Sequence, residues 1–277
     1  MLVSKPAGVT SHDVVERVRQ HAFARGRKVG HSGTLDPFAT GLLIVLVGRA
    51  TRAQRFFMAL PKRYRTRIQL GVRSDSGDLT GALTASGRRT TEEGVRALLP
   101  RLTGEISQRV PLLSAVKVEG ERLYRKARRG EQVETPVRTV TVTRLALVEF
   151  DPEAQVATLE VDCSSGTYVR QLVTDLGELC EAGAHCQTLE RLAIGPFSLE
   201  CADAERVLPL AEALSFLPER RLDDREATRA SHGVAVEARG PEPPDLPVRL
   251  TAGGELIAVA ERRDGLLKPV TVLSPAP

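Results

Sequence analysis

Apolar and polar positions divide the chain into a long opening part with mixed helix and strand patterns and a shorter closing part with strand patterns alone. Thr10-Ser11-His12-Asp13 has the spacing of a capped helix start, and Val14, Val15 and Val18 give the helix one apolar face. The longest apolar run, Leu42 to Val47, is far short of the ~20 residues of a membrane span and predicts a buried strand. From Arg63 to Leu70 the chain alternates. Tyr64, Thr66, Ile68 and Leu70 face one way and Arg63, Arg65, Arg67 and Gln69 the other, which predicts a strand with a basic outer face. A turn-rich stretch, Gly71 to Gly87, precedes a helix over Thr91–Leu102. Residues 104–136 are irregular, and strands are expected at Val137–Phe150 and Gln155–Cys163. After the turn Ser164-Ser165-Gly166, a helix begins near Tyr168 with Val169, Leu172, Val173, Leu176 and Leu179 on its buried stripe.

The texture changes near residue 216. Four prolines fall between Gly240 and Pro247, and short strand candidates follow at Val248–Leu250, Leu256–Ala260 and Val270–Leu273. This predicts an α+β catalytic-sized domain over 1–215 and a small all-β domain over 216–277. The 277 residues, 42% of them hydrophobic, are enough for such an arrangement. A formal charge of +4 and a pI of about 9.0 permit a polyanionic partner without requiring one. The N-terminus lacks the pattern of a signal peptide. Cys163, Cys180, Cys186 and Cys201 form no C-x-x-C pair, and His185-Cys186 has no second ligand pair at zinc spacing. Reduced thiols in a cytoplasmic protein without a metal are the expectation.

The densest turn-forming segment runs from Gly30 to Gly41 and leads directly into the Leu42–Val47 strand. Within it Asp36 precedes Pro37, which biases the aspartate towards an extended backbone. Two readings fit: a loop presenting one carboxylate, or an Asp-Pro turn capping a strand. Arg170 lies about 100° around the helix from Val169, off the apolar stripe. It also occupies the first turn, where the helix dipole disfavours a cation. A carboxylate partner would compensate it, and such a pair favours the charged acid; an exposed arginine would need no partner. Tyr64, after Lys62-Arg63, suits base stacking beside a phosphate path or an ordinary core position. Arg122, Arg125, Lys126, Arg128 and Arg129 form a run that fits a solvated helix face, the usual case, or a phosphate-facing surface, which the lack of interleaved acids favours.

Together these segments resemble the TruB family of pseudouridine synthases. Lys5-Pro6-Ala7-Gly8-Val9-Thr10-Ser11 resembles its K-P-x-G-x-[TS]-S motif, and Gly30 to Gly41 matches G-H-x-G-[TA]-L-D-P-x-A-T-G. Lys62-Arg63-Tyr64 matches K-x-Y, and Ser114-Ala115-Val116-Lys117 with its basic extension matches S-A-x-K. Gly166-Thr167-Tyr168-Val169-Arg170 matches G-T-Y-[IV]-R, and Leu189-Glu190-Arg191-Leu192 resembles L-x-R-[LT]. The residues following 216 resemble a PUA RNA-binding domain. Three features depart from the pattern: only four residues precede Lys5, the PUA-like part is short, and Val110-Pro111-Leu112-Leu113 replaces P-P-x-[YF].

The resemblance implies a mixed-sheet catalytic domain and isomerisation of uridine 55 in the T-loop of tRNA, with base flipping and without cofactor or metal. It implies that Asp36 is the catalytic carboxylate, held by Arg170, and that Tyr64 stacks on the target base while Leu189 packs against it. His31 would fill the vacated stack, with hydrogen bonding inside its own loop as the plainer role. Tyr168 and Lys5 would join the substrate site, and Arg122 to Arg129 would clamp the T-arm. A cytoplasmic monomer is implied. A non-catalytic RNA-binding scaffold, a guide-RNA-dependent synthase and a carboxylate-based nucleosidase are the competing readings.

Overall fold

The computed structural model describes residues 1–114, 116–131, 133–239 and 245–273. Ala115 of the S-A-x-K motif, the proline segment 240–244 and the last four positions of the expected C-terminal domain lie outside these. The first part of the chain runs β1 (Leu2–Lys5), α1 (Ser11–Arg19), β2 (Val29–His31), β3 (Thr40–Val47), α2 (Gln54–Ala59) and β4 (Lys62–Leu70). It continues through β5 (Val72–Ser74), β6 (Leu83–Ala85), α3 (Glu92–Leu98), β7 (Gly104–Arg109), β8 (Lys117–Val118), β9 (Glu121–Arg122) and α4 (Leu123–Arg128). Then come β10 (Val137–Asp151), β11 (Val156–Cys163), α5 (Val169–Leu179) and β12 (Ala184–Ile194).

One nine-stranded sheet organises this part, in the order β1-β3-β12-β4-β11-β10-β7, with β2 added on β3 and a short strand (β13, Phe197–Ser198) on β12. It is mixed: β12 pairs β3 in parallel, and every other pairing is antiparallel. After α6 (Leu210–Ala213), a five-stranded sheet forms from β14 (Glu219–Arg221), β15 (Val236–Glu237), β16 (Val248–Ala252), β17 (Glu255–Arg263) and β18 (Leu266–Val272). The part expected to be all-β holds one helix among the described residues, α7 (Asp224–Ser231), which starts with a reciprocal capping box between Asp223 and Glu226.

The predicted elements form where the pattern placed them. Thr10 caps α1, with the Asp13 carboxylate returning a bond to the Thr10 backbone. The helix expected over Thr91–Leu102 is α-helical only to Leu98. A 3₁₀ turn follows from Leu99, because Pro100 has no N–H to continue the α ladder. On β4 the alternation holds, with Tyr64, Thr66, Ile68 and Leu70 buried. The basic outer face is not left basic: Arg63 bonds Asp162, and Arg65 and Arg144 both reach Glu160.

β3 is apolar throughout because it is buried on both faces. Leu43 and Val45 pack against Val14, Val15 and Val18 of α1. Leu42, Ile44 and Leu46 lie in a cluster with Phe56 and Phe57 of α2 and with Leu256, Val259 and Leu273 from the second sheet. The two sheets therefore share a core, and the Gly30–Gly41 loop feeds into the strand at its centre. Leu256→Ala should lower the unfolding free energy by about 2–5 kcal/mol. Hydrogen exchange would show β3 and β17 losing protection together; protection surviving in β3 alone would mean that the sheets unfold separately.

Candidate active site

Arg170 lies in the first turn of α5, and its side chain is only 4% exposed. Its fork meets Asp36 from the side: Nε donates to Oδ2 at 2.8 Å and Nη2 to Oδ1 at 3.3 Å. Nη1 donates to the Ser76 carbonyl at 2.6 Å and lies 3.5 Å from Asp78 Oδ2, while Nη2 also donates to the Leu113 carbonyl at 2.9 Å. The compensating carboxylate expected for this arginine is thus present twice. Asp78, 6% exposed on its side chain, was not anticipated; the Ser74–Thr80 turn ties it down through the Ser76 and Thr80 hydroxyls. Asp36 differs, with 32% of its side chain open. A cleft of about 330 Å³ adjoins Arg170, lined by Ser76, Gly77, Leu112, Leu113, Thr135 and other residues. At its rim Leu113, in the segment that departs from P-P-x-[YF], turns an aliphatic side chain 40% exposed to solvent.

The N-terminal motif fastens the Asp36 loop. Lys5 is fully buried, and its ammonium donates to the carbonyls of Pro6, Val9 and Pro37. Ser11 Oγ accepts from the Leu35 N–H at 2.9 Å, and the Gly8 N–H donates to the Pro37 carbonyl at 2.8 Å. Lys5 was expected in the substrate site. The structure brings it beneath the loop instead, where its donors are already committed to backbone oxygens.

Tyr64 is buried on the inner face of β4, in one cluster with Leu35, Ala39, Val169 and Leu189. Burial pushes its hydroxyl up, and the charge and hydrogen bond of Arg191 oppose that shift. Tyr168 caps α5, with its backbone N–H donating to Gln108 Oε1 at 2.7 Å; burial pushes its half-buried phenol up, with Ser114 opposing the shift. His31 ends β2, half-buried. Its Nδ1 has no hydrogen-bond partner among the described residues, and burial, followed by the charge of Arg191, lowers its imidazole. Asp36, Arg170, Tyr64, Tyr168 and Leu189 are therefore gathered at one end of the sheet, with His31 on the same loop.

The basic run is another matter. Its acids come from neighbouring segments: Lys126 bonds Glu119, and Arg129 bonds Glu121 and Glu131. The run itself holds no acid, but β8, β9 and the turn after α4 fold these carboxylates onto it. Arg122 and Arg125 are exposed around Tyr124, to whose hydroxyl both are bonded, and the Arg128 side chain lies outside the described residues. Among the described residues no group of three or more His, Cys, Asp or Glu side chains is placed to hold a metal, and no helix is long and apolar enough to cross a membrane.

Residues 20–169 match the family described as TruB family pseudouridylate synthase, N-terminal domain. The chain belongs to that family. Similar curated proteins are named tRNA pseudouridine synthase B. That of Arthrobacter sp. (strain FB24) is 39% identical, with 100% of this chain and 96% of the relative covered. That of Thermobifida fusca (strain YX) is 42% identical, with 99% and 98% covered. Among solved structures, an H/ACA RNP bound to a substrate RNA containing 2′-deoxyuridine aligns at a TM-score of 0.75 and 20% identity, covering 99% of this chain and 85% of that one. A Cbf5-Nop10-Gar1 complex aligns at 0.75 and 22%, with the same coverage. The fold is accordingly the α+β pseudouridine synthase architecture, a mixed catalytic sheet followed by a small PUA-like sheet.

Lys5 and Lys62 give this TruB-family fold a pH signature. Burial lowers both from 10.5 to about 8. Lys62 donates to the Met58 and Leu60 carbonyls at the end of α2. Below pH 8 both states are protonated and the cost of the buried charges is present in full. Between about 8 and 10.5 the unfolded chain holds protons that the folded chain has shed, so this contribution rises with pH. Urea midpoints near pH 7.5 and near pH 9.5 should show a more favourable change in the wild type than in Lys62→Met.

Proposed function

We propose that this protein converts uridine 55 in the T-loop of tRNA to pseudouridine, with Asp36 as the catalytic carboxylate. The substrate class rests on the relatives named tRNA pseudouridine synthase B, and the position on the Gly30–Gly41 and Gly166–Arg170 motifs. The observation that carries the reading is the Asp36–Arg170 pair, a partly open carboxylate gripped by a buried guanidinium.

In the reaction the uridine N1–C1′ bond breaks, the base turns, and a C5–C1′ bond forms. N1 gains a proton and C5 loses one, so atoms balance without redox change. Whether a carboxylate oxygen attacks C1′ or takes a proton, Arg170 fixes its direction. Tyr64 stacks on the base, Leu189 packs against it, and Tyr168 lines the site. Keeping water out retains the detached base. Reaching the uridine inside a folded RNA costs a few kcal/mol of unstacking, and His31 fills the gap. Lys5 contributes by holding the loop. Arg122 and Arg125 contact the phosphates of the T-arm. We place the domain boundary after residue 215 and the enzyme in the cytoplasm as a monomer acting on tRNA without a guide RNA.

An unmodified tRNA transcript tritiated at uracil C5 tests this. The wild type alone should release tritium to water without freeing uracil, and Asp36→Asn should be slower by ~10⁴-fold or more while still binding tRNA. Tight binding without release by either protein would favour a non-catalytic RNA-binding role, and activity only with a guide RNA would favour the guided type. Separately, Arg122→Gln with Arg125→Gln should weaken tRNA binding and flatten the slope of log K against log salt by about 2. An unchanged slope removes these residues from the phosphate contacts.

A further inference from the structure

Arg191 is the largest fully buried side chain among the described residues, at 1% exposure. Burying a guanidinium is costly, and an ion pair is the usual compensation. Arg191 forms none among the described residues. Its donors go to uncharged groups instead: Nε to the Leu42 carbonyl at 2.7 Å and Nη2 to the Gly33 carbonyl at 3.2 Å. Those two carbonyls lie on either side of Asp36 in sequence, one in the loop and one just past it. Nη1 stands 3.7 Å from where a Gly33 Cβ would sit.

The Arg191 backbone holds the same loop. In the parallel pairing of β12 with β3, Arg191 stands opposite Gly41. A Cβ on Gly41 would come within 2.4 Å of the Arg191 carbonyl oxygen, and Gly41 has φ of +105°, so only glycine allows this approach. On the other edge of β12, Arg191 stands opposite Tyr64 of β4, and its charge opposes the upward push that burial gives the phenol. One residue thus bonds the Asp36 loop before and after the aspartate, and also stands beside Tyr64.

We propose that Arg191 is a positioning residue for the reaction: its fork and its backbone hold both ends of the Asp36 loop in register with the strand carrying Tyr64, so that the carboxylate and the aromatic ring meet the same nucleotide. This rests on the roles given above to Asp36 and Tyr64. The geometry needs a planar fork, because Nε and Nη2 reach two carbonyls at once; a lysine keeps the charge but offers a single point donor. Burial lowers the His31 imidazole, and the Arg191 charge lowers it further.

The test uses the full-length enzyme carrying Arg191→Lys or Arg191→Gln, with three readouts. The first is single-turnover tritium release at saturating tRNA, the second is tRNA affinity, and the third is the His31 titration followed by NMR without RNA. Arg191→Lys should bind tRNA within about twofold of wild type and turn over ~10²-fold more slowly, the cost of a displaced carboxylate. Arg191→Gln should raise the His31 pKa, and Arg191→Lys should leave it low. A wild-type rate in Arg191→Lys, or a loss confined to affinity, overturns the proposal. If Arg191→Gln does not fold, the lysine variant carries the rate test alone. If the wild type itself releases no tritium, the assigned reaction fails. The His31 titration then still stands apart: a value unmoved in a folded Arg191→Gln refutes the placement of the charge against the loop.

Discussion

A guanidinium taken out of water has five N–H groups to satisfy and one charge to balance. For Arg170 the partners come from three separate stretches of chain, the Asp36 loop, the Ser76–Asp78 turn and the Leu113 segment, and all three are tied to the helix α5 that carries it. No neighbouring pair of these can shift without breaking a buried charge-assisted bond, so the arginine fixes their mutual distances. Asp36 is the most exposed of the charged partners, and it remains open to a ligand because Asp78 and two carbonyls complete the shell behind it. The Asp36 loop is held from other sides by Lys5, Ser11, Gly8 and Arg191, mostly through backbone oxygens and N–H groups. Rigidity at the carboxylate thus comes from one charge-assisted pair and from many weaker ties of the loop to main chain.

Much of this was readable in advance. Alternation on β4, the capping box of α1 and the apolar stripe of α5 are local patterns, and local patterns survive folding when the tertiary fold agrees with them. Arg170 was identifiable as a cation in the wrong place on a helix, and its partner as a carboxylate. Asp78 was not, because a short polar turn containing an aspartate looks like any other turn until a buried cation is found beside it. Arg191 was visible only as one letter of a motif; its burial depends on β12 lying between β3 and β4, a pairing of strands far apart in sequence. The acids that pair with Lys126 and Arg129 lie just outside the basic run, and the β8–β9 hairpin and the turn after α4 bring them back onto it. The motif associates Lys5 with the Asp36 loop, and whether it faces ligand or backbone is a matter of side-chain direction that spacing does not encode.

The second sheet gives the catalytic one a stiff backing. β3 has α1 on one face and the side chains of Leu256, Val259 and Leu273 on the other, so the strand leaving the Asp36 loop is clamped from both directions. Leu42, Ile44 and Leu46 share their cluster with Phe56 and Phe57 of α2 as well as with the second sheet, so the strand leaving the Asp36 loop has no wet face and gives that loop a firm anchor.

The outer face of β4 carries a different consequence. Arg63, Arg65, Arg67 and Arg144 stand among Glu149, Glu160, Asp162 and Glu190, so four cations meet four anions on one surface. Long-range attraction falls away where opposite charges alternate within a screening length of about 8–10 Å. A polyanion drifting towards the molecule gains little by landing on that side, despite the basic isoelectric point. The ladder therefore acts as a blank wall: it removes a competing mooring and leaves encounters to be decided by the surfaces where the positive charge is not cancelled.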